Sequence, residues 1–515
     1  MAYKRFHRVA STFNSPYLSL SSVFFLLALV PLIYMLIPSM NVMESVVRWF
    51  VLGYSISLII TGLLILISLP LTQRVALFVL AFGQIFWYAF PALTKALVGL
   101  EGFSERVNYN LSQEDILYTA VYLIVFAVVS LSTYVRLHNY FVTRSCKATK
   151  EFNETPSLND RQIVLVIILL VILGLLPFAL YGGSLGEIVQ GILGSRALKP
   201  EKGWATTSFD SQPLYVIGRA CLVTAGSYSL LQILSAHRKF YVRCIGFFGF
   251  ILAFVITYFD SGTRSWTILI VLPSILLAFR KSIAENKYKR WLVAAPILFL
   301  IIFWVAQLQI KFRNTGFDAS TVQAGDALEI WDNDFFSETA VAINLVPAQM
   351  DYLYESTTVL FITNIIPRIV WPDKPFSDVI HKYSMGRRGY DEWIDKGTNS
   401  LPGVVGQYYM SWGLLGVIEV SIFFGLIMAW IDTKLRLKGI SPLMQLLMTT
   451  MCIWLFVGFR GLWPGFHYPI IIIAVIVLYE KYQGRAKLVP SVSTIPVHTY
   501  NYLASASSIT ENKNS

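Results

Sequence analysis

"YLSLSSVFFLLALVPLIYMLI", residues 17–37, is an apolar stretch of 21 residues without a single charged side chain. A helix of that length rises about 30 Å, which is the thickness of the hydrocarbon core of a bilayer. Three basic residues precede it, Lys4, Arg5 and Arg8, but no small-residue cleavage site follows it. The stretch therefore predicts a retained transmembrane helix behind a cytoplasmic N-terminus at residues 1–16.

Similar apolar stretches recur along the rest of the 515-residue chain, of which 55% is hydrophobic and only 14% is charged. With a mean hydropathy of +0.59, this composition is too apolar for a soluble globular protein of that length. We therefore predict an all-α polytopic membrane protein with about twelve transmembrane helices. The predicted segments lie near residues 17–37, 46–70, 75–98, 116–134, 162–181, 213–235, 244–259, 266–279, 291–309, 404–430, 441–458 and 468–480.

The basic residues are distributed according to the order of these segments. If the N-terminus is cytoplasmic, alternate loops fall on the cytoplasmic side, and each of them carries Lys or Arg: residues 73–74, 136–150, 237–243, 280–290 and 434–438. This pattern follows the positive-inside rule and places both termini in the cytoplasm. Much of the net charge of +11 is then an insertion signal, so a nucleic-acid partner is excluded.

The largest departure from the membrane is a loop at residues 310–402 on the predicted outer face. It separates transmembrane helices 1–9, at 17–309, from transmembrane helices 10–12, at 403–480. The last residues, 481–515, are rich in Ser, Thr and Asn and predict a flexible cytoplasmic tail. None of the four cysteines falls in an outer loop, so the sequence predicts no disulfide framework.

Within the long loop, "TNIIPRIVWPDKPF" at residues 363–376 places charges and prolines directly beside an apolar run. Arg368 in this stretch and Arg313 at the start of the loop both lie where a helix is expected to meet the lipid headgroups. A desolvated charge at that depth requires a counter-anion, which the phosphate of a membrane lipid would supply.

Two further arginines lie in tight turns on the same predicted face. Arg264 belongs to "DSGTRS" and Arg460 to "GFRGLWPGFHYP", and the glycines around them permit close backbone approach. Arg219, within "YVIGRACLVTAG", is a fifth candidate inside the membrane, although an internal ion pair explains it equally well. The sequence therefore predicts that arginines from distant segments converge at the outer rim of the helical bundle.

These motifs carry a resemblance to a known family. "PRIVWPDKP", the later "SLPGVVGQYYMSWGLLG", the upstream "SGTRS" and the "FRG" of the last outer hairpin together resemble the oligosaccharide repeat-unit polymerases, the O-antigen and capsule polymerases of Wzy type. The layout is similar too, with ten to fourteen helices and one long outer loop in the second half. The resemblance covers roughly residues 250–470, and it assigns the arginines of these motifs to Arg264, Arg368 and Arg460.

The resemblance implies a membrane glycosyltransferase with the multispanning, GT-C-like fold in the bacterial inner membrane. At the periplasmic face it would transfer a growing glycan from undecaprenyl diphosphate onto a sugar hydroxyl of the next lipid-linked repeat unit. Its partners would be these undecaprenyl-diphosphate-linked glycans, membrane lipid, a flippase and a chain-length regulator. No cofactor is expected.

The reaction needs groups that stabilise a departing diphosphate and a base for the acceptor hydroxyl. Arginine suits the first task because its planar fork stays charged and binds phosphate oxygens in two places. The residues predicted to hold the diphosphate are Arg264, Arg313, Arg368 and Arg460, with Lys374 as a helper. The candidate bases are Asp260, Glu338, Asp373 and His381, among which the sequence does not choose.

Trp371 and Trp393 are candidates for stacking against the sugar rings of the acceptor. The stretch "WDND" formally contains a DxD pair, Asp332 and Asp334, of the kind that holds a divalent metal in nucleotide-sugar enzymes. The pattern is short and arginines can already neutralise the diphosphate, so the sequence predicts no metal.

Other functions stay open at this point. An O-antigen ligase would move the same glycan onto a lipid A core, and the sequence barely separates it from a polymerase. A flippase or transporter for polyisoprenoid-linked sugars needs charges inside the membrane and often repeated halves, whereas here no repeat is found and the cations gather outside the core. A non-catalytic assembly partner would tolerate alanine at Arg264 and Arg368.

Overall fold

The structure, a computed structural model, describes most but not all of the chain. The described residues are 40–68, 74–107, 109–148, 158–181, 212–235, 238–261, 264–284, 334–354, 357–363, 366, 371, 379–389, 400–437, 440–462 and 467–488. Two of the predicted transmembrane segments, 17–37 and 291–309, lie outside them. So do the N-terminus at 1–16 and nearly all of the C-terminal tail.

All regular secondary structure within the described residues is helical. The helices are α1 (Met40–Ser68), α2 (Val75–Gln84), a π-helical turn (Ile85–Ala89), α3 (Phe90–Val98), α4 (Glu101–Val107), α5 (Gln113–Ala148), α6 (Asp160–Tyr181), α7 (Gln212–Leu234), α8 (Phe240–Ser261), α9 (Arg264–Ala284), α10 (Phe335–Leu345), α11 (Thr357–Thr363), α12 (Val379–Arg388), α13 (Gly403–Trp412), α14 (Leu414–Arg436), α15 (Pro442–Gly458) and α16 (Tyr468–Leu488).

Eight helices in the described part of the chain are long and apolar enough to cross a membrane. The ten predicted segments that fall on described residues all coincide with helices. Several of these helices expose large apolar side chains, such as Leu165 on α6 and Phe248 on α8, which is the pattern of a surface that faces lipid. The prediction of an all-α polytopic membrane protein is confirmed.

The apolar run predicted as one segment at 404–430 is divided in two by Gly413. This residue has φ +58° and ψ −135°, a conformation that only glycine adopts readily, and it ends α13 and begins α14. The two helices then fold back closely, because a side chain at Gly416 would lie 2.0 Å from the Tyr408 carbonyl oxygen. The expectation of a single continuous helix over 404–430 is therefore wrong.

One end of the bundle gathers residues from four of the loops that the sequence predicts to be cytoplasmic. The buried carboxylate of Asp432 accepts hydrogen bonds from the backbone N–H groups of Ala76 and Leu77, at 2.9 and 3.1 Å, next to Arg74. Thr433 lies 3.3 Å from the His138 ring nitrogen, and Arg280 donates to the Leu435 carbonyl. We call this end of the bundle the basic end.

The opposite end is filled by two short helices, α10 and α13, packed among the ends of the long ones. Nearly every residue of both helices is buried. The hydroxyl of Thr339 on α10 donates to the Pro402 carbonyl at 2.9 Å, and the N–H of Val404 on α13 donates to the Phe459 carbonyl at 2.9 Å. These short helices bring the segment after α15 into contact with the long loop.

Candidate functional site

The first turn of α10 is the point where three cations from distant parts of the chain meet. They are Lys95, Arg460 and Arg387. Asp334 begins the helix as its N-cap, because its side chain accepts a hydrogen bond from the Ser337 N–H at 3.1 Å. Lys95, from the end of α3, forms an ion pair with the same carboxylate and donates to the Ser337 hydroxyl at 2.9 Å. Both partners are largely buried, so the pair fixes the start of α10 against α3.

Arg460 lies directly beyond α15, against the same turn of α10. Its guanidinium carbon is 5.7 Å from the Phe335 ring centroid and 5.7 Å from that of Trp87, a range in which a cation and an aromatic face attract. Its Nη1 atom lies 3.4 Å from the Ser265 hydroxyl oxygen, in the first turn of α9. The two rings and the hydroxyl hold the charge at a defined position.

The π-helical turn between α2 and α3 supplies one of these rings. Within it, the indole N–H of Trp87 donates to the Phe456 carbonyl at 2.8 Å, and the Tyr88 hydroxyl donates to the Phe459 carbonyl at 3.0 Å. Short π-helical turns of this kind are rare and occur frequently at functional sites. Here the turn anchors the C-terminal end of α15 and so fixes the residue that follows, Arg460.

A second arginine approaches the same turn of α9 from another helix. The guanidinium carbon of Arg219 on α7 lies 6.0 Å from the ring centroid of Trp266. Arg264 is the first residue of α9, followed by Ser265 and Trp266. The start of α9 therefore brings together Arg219, Arg460 and the backbone of Arg264, and we call this group the α9 cluster.

The α9 cluster involves two of the segments for which the sequence predicts converging arginines, and the convergence itself stays a prediction. It unites the segments that carry Arg264 and Arg460, and it adds Arg219, for which the sequence left the role open. The side chain of Arg264 is outside the described residues, as are Arg313 and Arg368. The side chain of Asp260 and the whole of Asp373, Lys374 and Trp393 are also outside the described residues. The predicted roles of all these residues therefore stay predictions.

Glu338, predicted as a candidate base, is engaged in a compact ion pair. Arg387 on α12 approaches both carboxylate oxygens, with Nη2 2.8 Å from Oε1 and Nε 2.8 Å from Oε2. The Tyr383 hydroxyl donates to Oε2 at 2.5 Å. The carboxylate oxygens are thus already occupied, which gives Glu338 a positioning role between α10 and α12.

The protonation of this group follows from its surroundings. Burial and the negative charge of Glu338 raise the pKa of Tyr383 well above its ordinary value. Burial lowers the pKa of Arg387, but the charge of Glu338 outweighs that effect and the pKa of Arg387 is raised. Tyr383 therefore stays a hydrogen-bond donor and Arg387 stays cationic near neutral pH.

The structure describes three of the remaining residues singled out from sequence, His381, Trp371 and Asp334. His381 is half-buried on α12, and the side chain of Trp371 is exposed. Asp334, half of the DxD pair, is committed to the α10 N-cap and to Lys95, while Asp332 is outside the described residues. In the described part of the chain, no group of three His, Cys, Asp or Glu side chains could hold a metal ion.

Two contributors to the site were missed from sequence. Lys95 lies within the predicted apolar segment 75–98, and Arg387 lies in the long loop. Arg387 pairs with an acid of the same loop, Glu338, which lies 49 positions earlier on α10. The signal for Lys95 was its position near the end of a long apolar segment, where a lone cation requires an anionic partner.

Comparisons with protein-family models, with curated proteins and with solved structures find no match to this chain.

Proposed function

We propose that the chain is a membrane glycosyltransferase that polymerises lipid-linked oligosaccharide repeat units. It would transfer a growing glycan from undecaprenyl diphosphate to a hydroxyl of the next lipid-linked unit. The observation that carries this proposal is the α9 cluster, in which Arg219 and Arg460 reach the first turn of the helix that Arg264 begins. Its features are those of a site for a diphosphate.

The start of α9 is electrostatically suited to an anion. The first N–H groups of a helix have no partner within it, and the helix dipole places partial positive charge at this end. Two guanidinium groups beside that end, at Arg219 and Arg460, add full positive charges. Because these charges are held by aromatic rings before any substrate arrives, little reorganisation is needed when the diphosphate leaves.

Two ion pairs near the α9 cluster fix the helices around it, and the proposed reaction needs such fixed positions. The Lys95–Asp334 pair fixes the first turn of α10, which carries Phe335 against Arg460. The Glu338–Arg387 pair holds α12, which follows the loop that contains Arg368, Asp373 and Lys374. We propose that Arg368 and Lys374 of this loop bind the diphosphate and that Asp373 or His381 accepts the proton of the acceptor hydroxyl.

The position of the α9 cluster in the bundle supports a site on the periplasmic side of the membrane. The α9 cluster lies at the end of the bundle opposite the basic end, where Arg74 and Arg280 are found. By the positive-inside rule the basic end faces the cytoplasm. The proposed site then faces the periplasm of a bacterial inner membrane, where a flippase delivers repeat units and a chain-length regulator acts on the product.

The test is the glycan ladder made by host cells that lack the gene and carry a plasmid copy. We expect Arg219→Ala, Arg264→Ala and Arg460→Ala each to collapse the ladder to one repeat while the protein is inserted normally. Arg48→Ala is the matched control, because Arg48 lies near the same end but donates to the Ala96 and Leu97 carbonyls instead. Full ladders in all three variants would exclude the proposed site.

The same cells separate the polymerase from its alternatives. A polymerase defect leaves single repeat units on the lipid A core, because a ligase still attaches them. A ligase defect leaves the core without any repeat, with polymer on the lipid carrier. A flippase defect leaves repeat units on the inner leaflet.

A further inference from the structure

A continuous row of aromatic side chains runs along the end of the bundle that carries the α9 cluster. Neighbouring ring centroids are between 5.0 and 6.5 Å apart throughout the row. We call it the aromatic row, and its members in order are Tyr118, Tyr122, Tyr409, Tyr352, Tyr354 and Trp412. Both of its ends are open to the surroundings, since Tyr118 is 51% exposed and Trp412 is 38% exposed.

The backbone holds the exposed end of the row in an unusual conformation. Tyr354 has φ +51°, in the left-handed region that residues with a side chain rarely adopt. The N–H groups of Leu353 and Tyr354 donate to the Met410 and Ser411 carbonyls at the end of α13, both at 3.0 Å. These bonds fix the Tyr354 ring beside Trp412, with 5.5 Å between the ring centroids.

A cluster of hydrogen-bonding side chains borders the row. Asn344 donates to the Asp115 carboxylate at 2.8 Å and accepts from the Tyr109 hydroxyl at 3.1 Å. Gln349 donates to the same hydroxyl at 2.7 Å. Asp115 is buried and lies one turn before Tyr118 on α5, so the polar cluster lies next to the Tyr118 end of the aromatic row. Amide, carboxylate and hydroxyl groups can form hydrogen bonds with the hydroxyls of a ligand, and aromatic rings can stack on an apolar ring face. Both features together suit a sugar.

The row is joined to the α9 cluster through α13. This helix begins at Gly403, where Val404 contacts the Phe459 carbonyl next to Arg460, and it ends at Trp412. Ten helical residues span about 15 Å, so the Trp412 end of the row lies roughly that far from the proposed diphosphate site.

From these observations we propose that the aromatic row and its polar border bind a glycan. This inference deepens the proposed function, on which its biological meaning rests, by assigning a surface to the oligosaccharide away from the reacting bond. Lipid at an interfacial aromatic belt is the competing occupant. The polar cluster, the tyrosine hydroxyls and the fixed left-handed Tyr354 favour a sugar chain.

The test uses the purified full chain in detergent and an oligosaccharide of two or more repeats released from the surface glycan of the host. The variant is Tyr354→Asn with Trp412→Leu, because asparagine tolerates the left-handed conformation and the backbone is kept. We expect its affinity for the oligosaccharide to fall about tenfold, the factor that corresponds to the loss of one aromatic stack. Trp49→Leu is the matched control, since Trp49 is 72% exposed on α1 outside the row.

The outcomes separate this inference from the proposed function. Unchanged affinity in the double variant, or an equal loss in Trp49→Leu, would overturn the inference even if the ladder depends on Arg460. Reduced affinity only in the double variant supports it even if the ladder does not depend on Arg460. Binding retained by Arg460→Ala, together with loss of its ladder, would further show that the two surfaces act separately.

Discussion

The guanidinium carbon of Arg460 lies 5.7 Å from the centroid of the Phe335 ring, which ties the turn after α15 to the first turn of α10. Trp87 is at the same distance from Arg460 on another side. Both rings are buried, so the arginine pays little conformational entropy for holding its position. A charge fixed in this way is suited to stabilising a transition state.

Arg460→Lys keeps the positive charge at this position but removes the planar fork. We expect the rate of glycan transfer to fall on the order of 10²-fold, because lysine cannot bind two phosphate oxygens at once. The measurement is transfer of repeat units between lipid-linked substrates by the purified protein in detergent, as the proposed function requires. The matched control is Arg144→Lys, since Arg144 is exposed near the C-terminal end of α5, in the last turns before Ala148. A rate in Arg460→Lys equal to that of the wild type would show that the fork is not used.

Glu338→Gln removes the charge that Arg387 faces. Arg387 would remain mostly buried without a full counter-charge, which we expect to lower the free energy of unfolding by about 1–3 kcal/mol. A double-mutant cycle with Arg387→Met isolates the interaction, because the double variant removes both charges. Thermal unfolding of the purified protein reports each value. If Glu338 were instead the catalytic base, activity would be abolished in Glu338→Gln and not recovered when Arg387→Met is added.

The sequence was sufficient for the helical architecture because each long apolar run has few other solutions in a bilayer. It also singled out the segments of Arg264 and Arg460, which lie in contact because Arg460 approaches Ser265. The break at Gly413 was not foreseen, because hydropathy is continuous from 404 to 430 and reports no dihedral angle. The partnerships of Lys95 and Arg387 were not foreseen either, since their acids lie 239 and 49 positions away.

Gly413→Ala is expected to strain the junction of α13 and α14. Its φ of +58° with ψ −135° disfavours any side chain, and an added Cβ would lie 3.2 Å from the Tyr352 hydroxyl oxygen. We expect a loss of about 1–3 kcal/mol in the free energy of unfolding, measured by thermal denaturation in detergent. Gly53→Ala is the control, because a Cβ at Gly53 has no atom within 4 Å and the residue is helical. Equal stability of the two variants would contradict the strain at Gly413.

Asp432→Ala is expected to loosen the basic end of the bundle. The Asp432 carboxylate caps α2 by accepting from the Ala76 and Leu77 N–H groups, and it accepts from the Tyr134 hydroxyl at 2.7 Å. Alanine would leave these buried donors without that partner, at a cost of about 1–3 kcal/mol for each backbone group. Tyr134→Phe removes only one hydroxyl and should cost about 1 kcal/mol. Thermal unfolding checks both, and an Asp432→Ala protein no less stable than Tyr134→Phe would refute the capping role.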